Sequence, residues 1–431
     1  MKRTVYENPF GDSYVQVDHP SGLKIYLMEK PQFSSAYAVF GTRYGSIDTC
    51  FAKNGGSMIH VPEGIAHYLE HKLFESEDGD AFNRYAETGG YANAYTSFDR
   101  TCYLFSCTNR FEDNLAILLD FVQSPYFTEE TVAKEQGIIG QEIRMYDDSP
   151  AWCVLFNLLK TMYTEHPVRI DIAGTVESIA EINAELLYQC YETFYNPSNM
   201  FLCIVGNFDT EKTLRQINAA IKPNAPVDIE RGTFSEPDTV ATPYIEQRLA
   251  VSMPLFCFGY KHAIKSPVRS LKTRICMALL LELICGDASP LYARLIRDGY
   301  INDEFEAEYF HGHGYAAVLF EGESRDPQKV ADAIAEEIER LKTEGIDKKL
   351  FAAVKRGMYG DAIRRFDNIE GLATQLTECA VADLELFEEL KLLKSITIDD
   401  VLKRLALFQQ DKCVLSVILP QEETEGESCT K

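Results

Sequence analysis

The pentapeptide His67-Tyr-Leu-Glu-His71 constrains the fold of this chain most, because it sets three polar side chains into an otherwise apolar stretch. Just before it, Pro62 and Glu63 favour a first helical turn, since proline needs no donor there and glutamate complements the positive helix end. On that helix His67 and His71 are one turn apart and face the same way, with Glu70 beside them. Two imidazoles and a carboxylate therefore converge outside the helix.

This arrangement suits a hydrolytic metal site. Two neutral imidazoles four residues apart can ligate one Zn²⁺ without bending the helix, and an unligated glutamate beside them can take a proton from water. The order His-x-x-Glu-His is the inverse of the commoner metalloprotease motif. The alternative is that the three side chains decorate a solvated helix face. A third ligand decides between these interpretations, so a metal site requires a distant segment to fold back onto this helix.

A second predicted helix, Val132 to Tyr146, offers candidates for the third ligand. Its apolar positions recur at helical spacing, and Glu135 and Glu142 are seven residues apart, so both carboxylates point the same way. One of them can complete a His₂Glu site while the other orients it. Two glutamates at this spacing are also typical of an ordinary solvated stripe, and spacing alone leaves both interpretations open.

The segment between the two helices is Gly90-Tyr-Ala-Asn-Ala-Tyr-Thr-Ser97, followed by Asp99, Thr101 and Tyr103. The motif His67-x-x-Glu70-His71 precedes it, and Glu135-x6-Glu142 with Ile-Arg-Met directly behind follows it. In this order the motifs resemble the insulinase, pitrilysin and mitochondrial processing peptidase family, whose inverted zinc motif is called the inverzincin signature. The resemblance covers most of the first half of the chain.

The resemblance implies a zinc-dependent endopeptidase acting on short or unfolded peptides, with one Zn²⁺ per chain. It makes Glu70 the general base and Glu135 a support for the ligands, which are His67, His71 and Glu142. It also makes one segment the sheet edge that receives the peptide substrate as an added strand. The residues of that edge are Asn93, Ala94, Tyr95 and Thr96. Without the resemblance, the same segment is typical of an ordinary hairpin.

Composition indicates which partners and which compartment suit the chain. The net charge of −24 argues against nucleic acid and anionic membrane, because both would repel it. The charge would attract cationic peptides if it lined an enclosed chamber, although solubility alone also explains it. No apolar run reaches the length of a membrane span. Twelve cysteines without a Cys-x-x-Cys pair, and an N-terminus without an apolar segment, predict free thiols and a cytoplasmic location.

The predicted elements occur twice in the same order, which indicates an α+β fold of two similar α/β-sandwich halves, each a mixed or antiparallel sheet covered by helices. The zinc-bearing half spans 1–221, a linker 222–247, the second half 248–419, and an acidic tail 420–431. In the second half, the helix Leu271 to Cys285 takes the place of the zinc helix but has no histidine. His311 and His313 lie in a Gly-rich turn without a third ligand and are expected to be surface residues.

The second half departs from the family pattern at one point. In single-chain members it supplies an arginine and a tyrosine that reach the substrate at the zinc, whereas alignment of residues 286–302 places Ile296 and Asn302 there. Arg297 and Tyr300 lie close by and are possible substitutes. The family also compensates for such a loss by pairing two chains around a closed chamber, as the halves of a clam shell. We therefore expect this chain to be the zinc-bearing half, paired with a homologous second chain as a hetero- or homodimer.

Two other functions are compatible with the same fold. One is a non-catalytic assembly subunit, which the intact motif residues of the first half disfavour. The other is a maturation protease for one dedicated precursor peptide, which the sequence does not separate from a general peptidase.

Overall fold

The computed structural model describes residues 1–77, 79–262 and 270–421 of the chain. It forms two compact units, each built on a mixed β-sheet with helices packed against it. The first unit comprises Met1–Ile143, Ile170–Thr233 and Tyr359–Lys394, and the second comprises Arg144–Arg169, Phe234–Met358 and the chain from Ser395. The predicted α+β class is confirmed. Of the predicted acidic tail, residues 422–431 lie outside the described residues.

The β-strands, numbered along the chain, have these bounds: β1 (Lys2–Glu7), β2 (Ser13–Asp18), β3 (Lys24–Glu29), β4 (Ala36–Thr42), β5 (Cys50–Lys53), β6 (Ile59–His60), β7 (Glu75–Ser76), β8 (Gly79–Asp80), β9 (Tyr91–Thr96), β10 (Thr101–Cys107), β11 (Met200–Gly206), β12 (Ile229–Arg231), β13 (Tyr244–Leu249), β14 (Leu255–Lys261), β15 (Glu306–Gly312), β16 (Tyr315–Glu323) and β17 (Cys413–Pro420).

The α-helices have these bounds: α1 (Ile65–Leu73), α2 (Ala81–Thr88), α3 (Phe111–Phe121), α4 (Glu129–Asp147), α5 (Pro150–Met162), α6 (Val176–Ile179), α7 (Ala184–Phe194), α8 (Thr210–Ala220), α9 (Leu271–Cys285), α10 (Pro290–Arg297), α11 (Pro327–Glu344), α12 (Lys348–Arg364), α13 (Ile369–Ala382), α14 (Glu388–Ser395) and α15 (Ile398–Leu402).

The sheet of the first unit has the order β1-β2-β3-β11-β4-β10-β9, with β11 parallel to β3 and the other neighbours antiparallel. Its central strands are almost wholly buried and apolar, as expected for a sheet covered on both faces. By the strand register Tyr103 and Cys203 point to opposite faces. Tyr103 packs against Phe121 of α3, and Cys203 contacts Thr377 of α13. Strand β9 forms one edge of this sheet.

The sheet of the second unit repeats this arrangement. Its order is β13-β17-β14-β16-β15, with β17 parallel to β13 and the other neighbours antiparallel. This matches β3-β11-β4-β10-β9 of the first sheet strand for strand. Helix α9 packs against the edge strand β15 as α1 packs against β9. The prediction of two similar halves is therefore confirmed, with α9 in the place of the histidine-bearing helix.

Each sheet is completed by a helix from the other end of the chain. Helix α5, from the first half of the sequence, covers β14 and β17, and α13, from the last quarter, covers β11 and β4. The close approach of α5 is visible at Gly259, where a Cβ would lie 2.8 Å from Met162 Cε and 3.0 Å from a methyl carbon of Leu158. The compact units thus differ from the sequential division 1–221 and 248–419. The segment 222–247 also carries β12, which pairs with β5 in the first unit, and the start of β13.

No single helix in the described ranges is long and apolar enough to cross a membrane, while the bent pair α9 and α10 satisfies that test by length and composition only. Most residues of α9 are buried, as in the core helix of a folded domain. The cysteines that the structure describes, from Cys50 to Cys413, are free thiols.

Candidate metal centre

Helix α1 begins at Ile65, three residues later than Pro62, the predicted start, because Gly64 occupies the N-cap with φ of 85°. A Cβ on Gly64 would lie 2.3 Å from the carbonyl oxygen of Ala173, so only glycine allows this approach. Ser178 Oγ donates a hydrogen bond of 2.9 Å to the carbonyl of Glu63 and holds the same junction. The loop before α6 and Ser178 of α6 therefore fix where the histidine-bearing helix starts.

The structure brings together His67, His71 and Glu142, whose ligand atoms all lie within 4.8 Å of one another. Glu142 Oε1 is 3.6 Å from His67 Nε2, and Glu142 Oε2 is 3.3 Å from His71 Nε2. Two ligands held about 2.0–2.1 Å from one tetrahedral Zn²⁺ are separated by about 3.3–3.5 Å. The donor set and its spacing therefore fit a zinc ion. Among the described residues, this is the one such group of three, and neither His311 nor His313 belongs to it.

Glu135 orients the more exposed of the two histidines. The Nδ1–H of His71 donates a hydrogen bond of 3.0 Å to Glu135 Oε1, which leaves Nε2 directed at Glu142. This carboxylate–histidine pair is the usual outer support of a metal-binding imidazole. Burial lowers the pKa of His71, but the hydrogen bonds to Glu135 and Glu142 outweigh it and raise the pKa to about 10 in the metal-free site. The hydrogen bond with His71 in turn lowers the pKa of Glu135.

His67 and Glu70 form the buried side of the centre, each with 8% of its surface exposed. Burial, together with the neighbouring His71, lowers the pKa of His67 to about 4, so this imidazole is neutral at pH 7 and able to ligate a metal. Burial also raises the pKa of Glu70 to about 7. Glu70 is not part of the ligand group, and its carboxylate stays available for proton transfer beside it.

The predicted substrate edge is β9, which carries Asn93, Ala94, Tyr95 and Thr96 at the margin of the first sheet. Its inner side pairs with β10, and no other described strand pairs with it. One side chain of this strand turns to the centre, since Thr96 Oγ1 donates a hydrogen bond of 2.6 Å to Glu70 Oε2. The sequence placed Thr96 only in the edge strand, since neither helical nor strand periodicity gives a signal for this contact.

A second contact that the sequence did not predict joins the two ligand-bearing helices. The hydroxyl of Tyr68 donates a hydrogen bond to the main-chain carbonyl of Val132 in α4. Tyr68 is fully buried, so its ring also fills space between α1 and its neighbours. The place of Tyr68 directly after His67 was a possible signal for this contact. On a short helix, the neighbour of a metal ligand is expected to face another packed element.

In the second unit, the residues near the expected substrate clamp have local partners. Arg297 Nε donates to Asp298 at 2.9 Å, and the Tyr300 ring lies under the cations of Arg325 and Lys329, at 4.6 and 4.4 Å from its centroid. Asn302 Nδ2 donates to Glu323 Oε2 at 3.2 Å. The side chain of Ile296 is exposed.

Comparison with known proteins agrees with the fold and the ligand group. Residues 54–176 match the family model described as insulinase, peptidase family M16, and residues 181–358 match that of the peptidase M16 inactive domain. The chain is 44% identical to "Uncharacterized zinc protease YmfH" of Bacillus subtilis (strain 168), over 88% of this chain and 90% of the relative. An M16-like peptidase from Alicyclobacillus acidocaldarius superposes with a TM-score of 0.92 at 34% identity, over 97% of this chain and 100% of that one.

A more distant structure is about twice as long as the present chain, and the chain matches half of it. The periplasmic protease PqqL from Escherichia coli superposes with a TM-score of 0.73 at 18% identity, over 95% of this chain but 48% of that one. The present chain thus has the fold of half of a longer protein. Fold and ligand group together define one half of a peptidase-type fold with a candidate zinc centre. The chain belongs to the insulinase family, peptidase family M16, and the resemblance noted in its sequence is confirmed.

Proposed function

We propose that this chain is a zinc-dependent endopeptidase that hydrolyses short or unfolded peptides. The observation that carries the proposal is the convergence of His67, His71 and Glu142 from two helices, with the carboxylate of Glu70 beside them and outside the ligand group. Relatives named as zinc proteases support the same assignment.

In this proposal one Zn²⁺ is held by His67, His71 and Glu142. When bound, it polarises the scissile carbonyl and makes water a stronger acid, with a pKa of roughly 7. Glu70 accepts the proton of the attacking water as a new C–O bond forms at the scissile carbonyl carbon. It then delivers that proton to the amine nitrogen as the C–N bond breaks, so the carboxylate is regenerated. A pKa of about 7 suits a group that both takes and returns a proton near neutral pH.

Strand β9 is the proposed docking edge for the substrate. A peptide that lies along Asn93, Ala94, Tyr95 and Thr96 as an extra strand would form main-chain hydrogen bonds whatever its own side chains. This explains how one site accepts many short or unfolded sequences. A folded protein would present few free strands and would be a poor substrate.

We further propose that the chain works with a homologous second chain, as a hetero- or homodimer, because Ile296 and Asn302 replace the expected clamp residues. The structural match to half of a longer peptidase supports the pairing. A dedicated precursor peptide as the sole substrate would give the same site. We also propose a cytoplasmic location, which the free thiols support.

The test of the proposed function is the variant Glu70→Gln, compared with Glu87→Gln on the exposed side of α2. We expect the wild type and both variants to bind one zinc per chain, whereas Glu70→Gln loses nearly all turnover of an unstructured peptide and Glu87→Gln keeps it. Retained turnover in Glu70→Gln assigns the base elsewhere. A wild-type protein that binds no zinc supports the non-catalytic assembly subunit instead.

The partner is tested by co-purification followed by mass spectrometry of the bound chains and peptides. We expect a second homologous chain in the complex, and turnover that rises when the two chains are mixed. Full turnover by the isolated monomer would exclude a required partner.

A further inference from the structure

Thr96 contacts Glu70 from the sheet edge. Its Oγ1 reaches α1 and donates a hydrogen bond of 2.6 Å to Glu70 Oε2. The main-chain N–H of Thr96 also forms a hydrogen bond with this carboxylate. The hydroxyl is the part of this contact that a substitution removes without changing the main chain.

Thr96 is itself held in position by the neighbouring strand β10. It pairs directly with Thr101 of β10, and the two hydroxyl oxygens are 3.4 Å apart. Thr101 is fully buried and donates a hydrogen bond of 2.9 Å to the carbonyl of Tyr44. The ladder between β9 and β10 and this buried hydroxyl limit the movement of Thr96, so the hydroxyl that reaches Glu70 has a defined place.

Glu70 needs such an anchor. Its side chain is almost completely buried, and a buried carboxylate without a donor pays a large desolvation cost. In the described part of the chain, the hydroxyl and the main-chain N–H of Thr96 are the donors that the structure shows on this carboxylate. The hydroxyl engages Oε2.

We propose that Thr96 is a positioning residue, whose hydroxyl holds the carboxylate of Glu70 in the orientation required for proton transfer. The inference rests on the proposed function of Glu70 as the base. Thr96 acts through Glu70 and touches neither the metal ligands nor the scissile bond. Without the hydroxyl, the main-chain N–H of Thr96 alone holds the carboxylate of Glu70, so the orientation of the carboxylate is less defined and proton transfer slows. The main chain of β9, along which the peptide binds, is unchanged.

The experiment compares Thr96→Val, which removes the hydroxyl at nearly constant volume, with Thr96→Ser, which retains it. The matched control is Thr193→Val in α7, since Thr193 is also buried and its hydroxyl donates to the carbonyl of Gln189 in its own helix, at 2.8 Å. We expect Thr96→Val to bind zinc with wild-type affinity and keep its KM, while kcat falls by about ten- to a hundredfold. Thr96→Ser should retain most of kcat, and Thr193→Val all of it.

A second measurement needs no turnover. Unfolding of the metal-free protein by urea gives the stabilities of Thr96→Val, Glu70→Ala and the double variant. We expect their effects to be non-additive, because each single change already breaks the hydrogen bond between the two side chains. If Thr96→Val does not fold, Thr96→Ala removes the same hydroxyl without placing a methyl group against the carboxylate.

The outcomes separate this inference from the function on which it rests. A zinc-loaded wild type that is inactive even in the complex with its partner chain overturns the proposed function. An active wild type whose Thr96→Val variant has unchanged kcat overturns the positioning role alone. The positioning role is also overturned if Thr96→Ser loses as much kcat as Thr96→Val does. It is likewise overturned if the stability effects of Thr96→Val and Glu70→Ala add up in the double variant. Either result would assign the effect to packing.

Discussion

The Tyr68 hydroxyl is hydrogen-bonded to the main-chain carbonyl of Val132, so the helix that carries both histidines is tied to the helix that carries Glu142. We predict that Tyr68→Phe lowers zinc affinity by roughly three- to tenfold, because a neutral hydrogen bond contributes about 1 kcal/mol to holding the two helices in register. Competition with a chelator of known affinity measures the change.

The control for this variant is Tyr191→Phe. The hydroxyl of Tyr191 also donates to a main-chain carbonyl, that of Val122, at 2.9 Å, but it joins neither ligand-bearing helix to the other. Equal zinc affinity in Tyr68→Phe and the wild type would show that packing alone sets the distance between α1 and α4.

Glu135→Gln tests the support of His71. The amide holds the Nδ1–H of His71 more weakly than the carboxylate does, so the ring is less fixed and the imidazole is a poorer ligand. We predict a loss of about ten- to a hundredfold in zinc affinity, with the fold unchanged. Glu130→Gln, at an exposed position of the same helix, is the matched control and should bind as the wild type does. Wild-type zinc affinity in Glu135→Gln would show that Glu135 does not contribute to the metal centre.

The raised pKa of His71 predicts how zinc binding depends on pH. Below a pKa of about 10 the metal-free imidazole carries a proton that the metal must displace, so zinc affinity rises with pH through the neutral range. We predict a rise of about tenfold per pH unit from pH 7 to pH 9 and a shallower rise in Glu135→Gln. With an ordinary histidine pKa of about 6.5 the rise would fade above pH 7. Competition with a chelator at constant ionic strength distinguishes the raised pKa of His71 from the ordinary one.

His166 in the second unit predicts loss of stability in acid. Its Nε2–H donates to the carbonyl of His313 at 3.0 Å and its Nδ1 accepts from the amide of Val168 at 3.1 Å, which requires the neutral ring. Burial lowers the pKa of His166 to about 4. The unfolded chain takes up this proton near pH 6.5, so the stabilising contribution is complete above pH 6.5 and is lost as the pH falls towards 4.

The measurement is urea unfolding at pH 7 and pH 5. We predict that the wild type loses about 2 kcal/mol more of its unfolding free energy than His166→Gln does over this interval. His60→Gln replaces an exposed histidine and should follow the wild-type pH dependence. Parallel curves for the wild type and His166→Gln would contradict the assignment.

The sequence predicted those features that depend on local spacing. Histidines four residues apart on a helix must share a face, and glutamates seven apart must share another, so the ligand group followed once the resemblance had joined the two helices. The strand signals predicted the hairpin of β9 and β10, and the resemblance implied that β9 is the edge. The helix start was misplaced because proline and glutamate are local signals, whereas the N-cap at Gly64 is set by contact with Ala173, far away in the sequence.

The remaining features depend on packing between distant segments. An apolar stripe on α5 or α13 predicts that the helix is buried, but it does not say which of two similar sheets the helix covers. The contact from Thr96 to Glu70 and that from Tyr68 to Val132 likewise require the relative placement of elements. Neither leaves a periodic trace in the sequence.

The placement of α13 on the first sheet has a consequence for biosynthesis. A nascent chain that has emerged only as far as β13 already contains every strand of that sheet, yet β4 and β11 still lack the cover that α13 provides. The ribosome must add more than a hundred further residues before this apolar face can close. Truncated products ending in that interval should therefore be captured by chaperones or aggregate, even though they include His67, His71 and Glu142.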